Sequence, residues 1–166
     1  MVRGGWVVLV AALLSAPIVR AQREGFGLGI MLGEPTGLSA KVWTQDRNAL
    51  AFGLAWGGWG HGGYVHLHAD HLFHNFNVIS VSKGSMPLYY GPGLRLRSWT
   101  GHRYWHRGHY HDGQRLDLGV RFPVGLNYHF ANDPLDIFLE VVPTLDLVPS
   151  TDFELDLALG ARYWFR

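Results

Sequence analysis

The chain has 166 residues, enough for one domain with a sizeable core, and its 14 basic and 13 acidic side chains leave a net charge of +1. Only 16% of the residues are charged, so no nucleic-acid footprint is visible, and the lack of cysteine excludes disulfides, thiolate catalysis and cysteine-ligated metals. The 22 glycines and 14% aromatics disfavour helices and suit a β-protein with tight bends.

In chain order, the first segment reads as an export signal. Arg3 supplies a positive start, Trp6 to Leu14 is an apolar run too short to span a bilayer, and Val19-Arg20-Ala21 sets small residues at the two positions a signal peptidase reads. Cleavage after Ala21 is expected, leaving residues 22–166 as a single domain.

The remainder alternates between strands and turns. Phe26, Leu28, Ile30 and Leu32 recur at every second position, and "GEPTG" follows as a turn. Leu38, Ala40 and Val42 then oppose Ser39, Lys41 and Trp43, before the tight turn "QDRN". Leu50, Phe52, Leu54 and Trp56 alternate with Ala51, Gly53 and Ala55 ahead of the loop "GGWGHGG". Val65, Leu67 and Ala69 oppose His66, His68 and Asp70, and "NFNVISVSKGS" connects onward. Leu88 to Trp99 sets Leu94 and Leu96 against Arg95 and Arg97, and the long loop "TGHRYWHRGHYHDGQR" follows. Leu116 to Phe130 is the longest clean alternation, with Asp117, Gly119, Arg121, Gly125 and Asn127 on its polar side. "ANDP" turns into Ile137, Leu139 and Val141 opposing Asp136, Phe138 and Glu140, and "LVPSTD" into Phe153 to Phe165.

This makes eight strands, most of them near the roughly 9–11 residues that a tilted membrane-spanning strand needs, and an even number suits a closed barrel. The polar faces are not those of a solvated surface. They mix glycine and alanine with isolated charges of balanced sign, Lys41, Arg95, Arg121 and Arg162 against Asp70, Asp117, Glu140 and Asp156. Charges withdrawn from bulk water must be paired, and a small barrel interior needs small groups beside large ones. The expected fold is therefore all-β, an eight-stranded antiparallel up-and-down transmembrane barrel with Arg121 in the lumen. Trp43, Trp56, Trp59, Tyr64, Tyr89, Tyr90, Trp99, Tyr128, Phe130, Tyr163 and Trp164 are expected in the interfacial girdles. A secreted sandwich or lipocalin-like barrel is the alternative, with the faces reversed.

Three stretches, "LGEPTGLSAKVW", "LGVRFPVGLNYHF" and "PLDIFLEVVPTLDLVPSTDFELDLALGARYWF", resemble a family of small bacterial outer-membrane β-barrels of the outer-membrane-protein-A type. The likeness covers essentially the whole chain after the leader. It implies outer-membrane localisation, contact with outer-membrane lipid, and recognition of the aromatic last strand by the barrel-assembly machinery, although Phe165 is here followed by Arg166. It implies no catalytic residues. Both termini then face the periplasm, "QDRN" and "ANDP" are the short inner turns, and the histidine-rich loop lies outside. "NFNVISVSKGS" is longer than an ideal inner turn.

The functional expectation is a structural or surface-interaction barrel without a cofactor, closed by a paired polar lumen of Lys41, His66, His68, Asp70, Arg95, Asp117, Arg121, Glu140, Asp156 and Arg162. His66, His68 and Asp70 share one strand face about 6.5–7 Å apart, a spacing that suits either a hydrogen-bond network or part of a metal site. A second class of function is surface metal binding, because "HRYWHRGHYHD" gathers His102, His106, His109, His111 and Asp112, and imidazoles bind Zn, Cu or Ni. Arg103 and Arg107 oppose cation binding there. A third class is lipid modification by a nucleophilic serine or a carboxylate–histidine pair at the barrel rim. Ser39, Ser80, Ser82, Ser85, Ser98 and Ser150 are present, none of them in a nucleophile-elbow motif or beside an evident histidine base.

Overall fold

The computed structural model describes residues 25–57, 63–100, 104–106, 109–111 and 115–165. The expected leader, Trp59, His102 and Asp112 lie outside them. The described residues form twelve strands: β1 (Phe26–Gly33), β2 (Gly37–Trp43), β3 (Asn48–Gly57), β4 (Gly63–Asn75), β5 (Leu88–Tyr90), β6 (Gly93–Thr100), β7 (Tyr104–His106), β8 (His109–His111), β9 (Arg115–Arg121), β10 (Val124–His129), β11 (Leu135–Val148) and β12 (Asp152–Phe165). Among the described residues there is no helix.

Ten of these strands close one antiparallel ring. β1 pairs with β2, β2 with β3, and β3 with β4. β5 and β6 share one wall beside β4, and β10 and β9 share the next wall. Both halves of that wall pair with β11, β11 pairs with β12, and β12 returns to β1. The result is an eight-stranded up-and-down barrel, which leaves no free sheet edge. β7 and β8 form a separate two-stranded ribbon between β6 and β9.

The sequence predicts unbroken strands over Leu88 to Trp99 and Leu116 to Phe130, yet each is interrupted at a proline. The physical reason is the missing N–H of Pro92 and Pro123, which cannot donate to a ladder. The barrel wall survives because the proline carbonyls still accept. His71 N donates to Pro92 O (2.9 Å), Gly91 N to Pro123 O (3.2 Å) and Phe122 N to Pro143 O (2.9 Å), so three prolines on successive walls form a staircase of acceptors.

The connections at 34–36 and 149–151 lie at one end of the barrel, as does the β7–β8 ribbon that follows β6, and those at 44–47, 76–87 and 130–134 lie at the other. The long 76–87 connection is docked rather than loose. Ser85 bridges to His129, and Tyr128 Oη donates to Lys83 O at 3.1 Å. Gly84 makes the bend with φ +72°, and a Cβ there would overlap the His129 carbonyl.

Alternation along the walls sends leucines and aromatics outward and charges inward. Leu94 and Leu155 are each 65% exposed, whereas Lys41 and Asp117 are 0% exposed. This is the reverse of a soluble barrel and the polarity of a transmembrane one.

Candidate functional site in the barrel interior

The interior is built from one repeated device, a polar pair that reaches across a glycine of the strand between. Arg95 of β6 and Asp146 of β11 both stand opposite Gly119 of β9. Asp70 of β4 and Arg121 of β9 both stand opposite Gly93 of β6. Tyr89 of β5 and Glu140 of β11 flank Gly125 of β10, and Ser39 of β2 and Arg162 of β12 flank Gly29 of β1. Neighbouring strands are about 4.8 Å apart, so second neighbours are roughly 10 Å apart, within reach of two long side chains only if nothing stands between them. Glycine supplies that gap. A Cβ on Gly93 would overlap the Asp70 carboxylate, and one on Gly119 would overlap that of Asp146.

Toward the end bearing the histidine loop, the groups are ionic. Arg95 Nη2 lies 2.6 Å from Asp146 Oδ2, while its Nη1 lies 2.7 Å from Glu154 Oε2 and 3.3 Å from Asp156 Oδ2. Arg97 Nη2 shares Glu154 at 3.2 Å. Asp117 accepts from Trp99 Nε1 at 2.8 Å and from Arg115 Nε. One guanidinium held by three carboxylates satisfies most of its donor directions without water.

At mid-height, Arg121 Nε is 3.1 Å from Asp70 Oδ1, and its Nη2 donates to Glu140 Oε1 at 3.4 Å. Tyr89 Oη donates to the other Glu140 oxygen at 2.7 Å. His66 Nε2 and His68 Nδ1 are 3.2 Å apart, and His68 Nε2 is 3.9 Å from Asp70 Oδ2. These three side chains therefore belong to a polar chain that continues into Arg121. Among the described residues lining the lumen, no three His, Asp or Glu side chains converge as a metal site.

The terminus end is aromatic. Arg162 Nε donates to Asp136 Oδ1 at 3.1 Å, and Trp164 Nε1 to Asp136 Oδ2 at 2.9 Å. Lys41 Nζ donates to Asn127 Oδ1 at 2.8 Å and lies 2.7 Å from His74 Nε2. His74 Nδ1 lies 3.2 Å from Arg47 O, so the tautomer protonated at Nδ1 leaves Nε2 free to accept from the lysine. The Trp43 ring packs against His74 (4.4 Å), Phe76 (6.4 Å), His129 (6.0 Å) and Trp164 (6.3 Å), forming a stopper across this mouth.

All ten residues expected in the lumen lie buried inside the barrel. Several of their partners are not in that set: Asp136, Asp146, Glu154, Arg97, Asn127 and His74. The alternation carried their signal, since Asp136 and Asp146 share the parity of Glu140 and His74 that of Asp70. The girdle expectation is partly corrected. Tyr89 and Trp164 are buried, and Trp43 and Trp99 bond or stack within the lumen, because each shares the parity of a lumenal charge. Trp56, Tyr90, Phe130 and Tyr163 do face outward.

Of the histidine-loop candidates, His106, His109 and His111 lie on the β7–β8 ribbon, whereas His102 and Asp112 fall outside the described residues. Ser39 hydrogen-bonds to Arg162 at 3.5 Å.

The chain matches, over residues 19–155, the model of a family described as protein of unknown function (DUF3996). No curated protein matches it. Among solved structures, the N-terminal β-barrel domain of Pseudomonas aeruginosa OprF is similar at 17% identity and TM-score 0.55, covering 84% of this chain and 95% of that one. Neisserial surface protein A (NspA) is similar at 12% identity and TM-score 0.45, over 84% of this chain and 93% of that one. The OprF likeness shows the barrel fold that the strand pairing describes. With the family model spanning most of its length, the chain belongs to the DUF3996 family.

Proposed function

We propose that this chain is an integral protein of the bacterial outer membrane, a closed barrel that serves as a rigid scaffold and presents the loops at the end away from its termini. The observation that carries this reading is the inverted polarity of the wall. The outward positions of β11 run apolar from Leu135 to Leu147 and those of β12 from Phe153 to Phe165. Thirteen residues span about 40 Å along a strand, or about 30 Å along the axis at the usual tilt of roughly 40°. That height matches a bilayer's hydrocarbon core of about 30 Å. In water the same surface would be a contiguous apolar patch far larger than soluble monomers tolerate.

The packed interior supports a structural role over a conducting one. Ion pairs bridge the lumen at two heights, and the Trp43 stopper covers the terminus mouth. Outer-membrane lipid then meets the apolar belt, and the assembly machinery takes the chain through β12, whose Tyr163 and Phe165 face outward.

Fractionation of cells expressing the full chain tests the reading, with gel migration compared before and after boiling. Recovery in the outer-membrane fraction with heat-modifiable migration is expected, together with no steady conductance in planar bilayers. Recovery as a soluble periplasmic protein would overturn the localisation, and a stable ohmic conductance would overturn the closed lumen.

A further inference from the structure

The Trp43 stopper is built around a titratable hub. His74 of β4 is buried, and its backbone N and ring Nδ1 both donate to the carbonyl of Arg47 in the β2–β3 turn, at 2.7 Å and 3.2 Å. Its Nε2 accepts from Lys41 Nζ at 2.7 Å, and the same ammonium donates to Asn127 Oδ1 at 2.8 Å. Three rings rest on the imidazole: Trp43 at 4.4 Å, Tyr89 at 5.5 Å and Phe76 at 6.3 Å. One side chain thus ties the end of β4 to the neighbouring turn, to the β2 lysine and to the aromatic stopper.

This arrangement requires a neutral ring. An ammonium has donors and no acceptor, so Nε2 must offer its lone pair to Lys41. A proton on Nε2 would instead set two cations 2.7 Å apart. The charged and titratable groups that face the ring are Lys41 from β2, Tyr89 from β5, His129 from β10 and Arg162 from β12. None of them is a carboxylate. Asp136 lies at the same end, but Arg162 Nε and Trp164 Nε1 already hold its two oxygens. We propose that His74 is an acid-released latch on the terminus mouth: protonation of Nε2 breaks its contact with Lys41 and loosens the Trp43 stopper, admitting water and small solutes to that end of the lumen. The released state binds one proton more, so the latch holds at neutral pH and gives way as pH falls. The latch rests on the closed lumen proposed above.

The chain has no cysteine, so one introduced thiol reports on the mouth alone. Ala49 is fully buried directly opposite Trp43 in the wall, and Ala49→Cys places the thiol behind the stopper. The full chain is refolded in detergent and alkylated with a small water-soluble maleimide at about pH 7.5 and about pH 5, either side of the histidine range. Dividing each rate by that of the urea-unfolded chain at the same pH cancels the titration of the thiol itself. The normalised rate should rise about tenfold or more on acidification, since one linked proton shifts an equilibrium by up to about tenfold per pH unit. His74→Gln keeps a donor and an acceptor but does not titrate, so its rate should stay level. Lys41→Met removes the opposing cation and should level the response as well. Gel migration before and after boiling verifies that each variant forms the barrel. Slow labelling at both pH values overturns the latch, and so does an undiminished rise in either variant. Fast labelling already at neutral pH overturns the closed mouth itself, and the latch with it.

Discussion

Arg95 and Asp146 are 51 residues apart in the chain and on strands that do not pair, yet their side chains meet at 2.6 Å across the missing side chain of Gly119. The pair is a consequence of ring closure. β6, β9 and β11 stand side by side, all three residues fall at one height, and the middle one is a glycine. The same arrangement recurs at Gly93, Gly125 and Gly29, so the glycines on the inner faces act as passages for polar pairs as much as space for bulk.

If Gly119 is such a passage, Gly119→Ala should destabilise the barrel by about 1–3 kcal/mol, the usual cost of overpacking. The new Cβ would occupy the place of the Asp146 carboxylate. Urea unfolding of the detergent-refolded chain measures this. Asp146→Ala should remove part of the penalty, so the double variant should be less than additive.

Arg95 holds Asp146, Glu154 and Asp156 together with its side chain fully buried. Arg95→Met keeps much of the volume but leaves these carboxylates without that cation. A loss of about 3–5 kcal/mol is expected, as for other buried pairs broken from one side. The urea midpoint should fall, and so should the temperature at which the folded band disappears on a gel.

Val141 faces outward midway along the apolar run of β11, paired with Leu157 and Val124. In a bilayer, Val141→Arg should cost about 2–4 kcal/mol, the penalty for an arginine near the midplane of a barrel wall. Equilibrium folding into lipid vesicles reads this directly. A neutral result there would mean that this face meets water.

Tyr89 donates to Glu140 across Gly125 in the middle of the lumen. Tyr89→Phe removes only the hydroxyl and leaves a buried carboxylate oxygen short of a donor. The expected loss is about 1–3 kcal/mol. Glu140→Gln in the Tyr89→Phe background should recover part of it, because a neutral amide is less costly to leave with one partner fewer.

The face of each strand residue was legible in the sequence, because side chains alternate with a period of two whatever the strand pairs with. That local rule set Arg121, Lys41 and Asp117 on one side and the leucines on the other. The composition of the polar side, glycine beside isolated charges, then identified it as the inside. The same rule, followed strictly, also assigns Tyr89 and Trp164 to the lumen. Weighting their aromatic character above their parity misplaced them in the girdles.

What the sequence by itself determined is thus which residues line the barrel and which meet its surroundings. The tertiary structure alone decided who partners whom: Asp146 rather than Asp117 for Arg95, Asp136 for Arg162, and His106 opposite His109 on the loop ribbon. For the wall breaks at Pro92 and Pro123 the sequence already carried the reason, in the missing N–H of each proline. Partner choice lay beyond it because alternation is a property of a single strand. The height at which residues of different strands meet is set by the stagger of every pairing around the closed ring, and no segment of the chain carries that stagger alone.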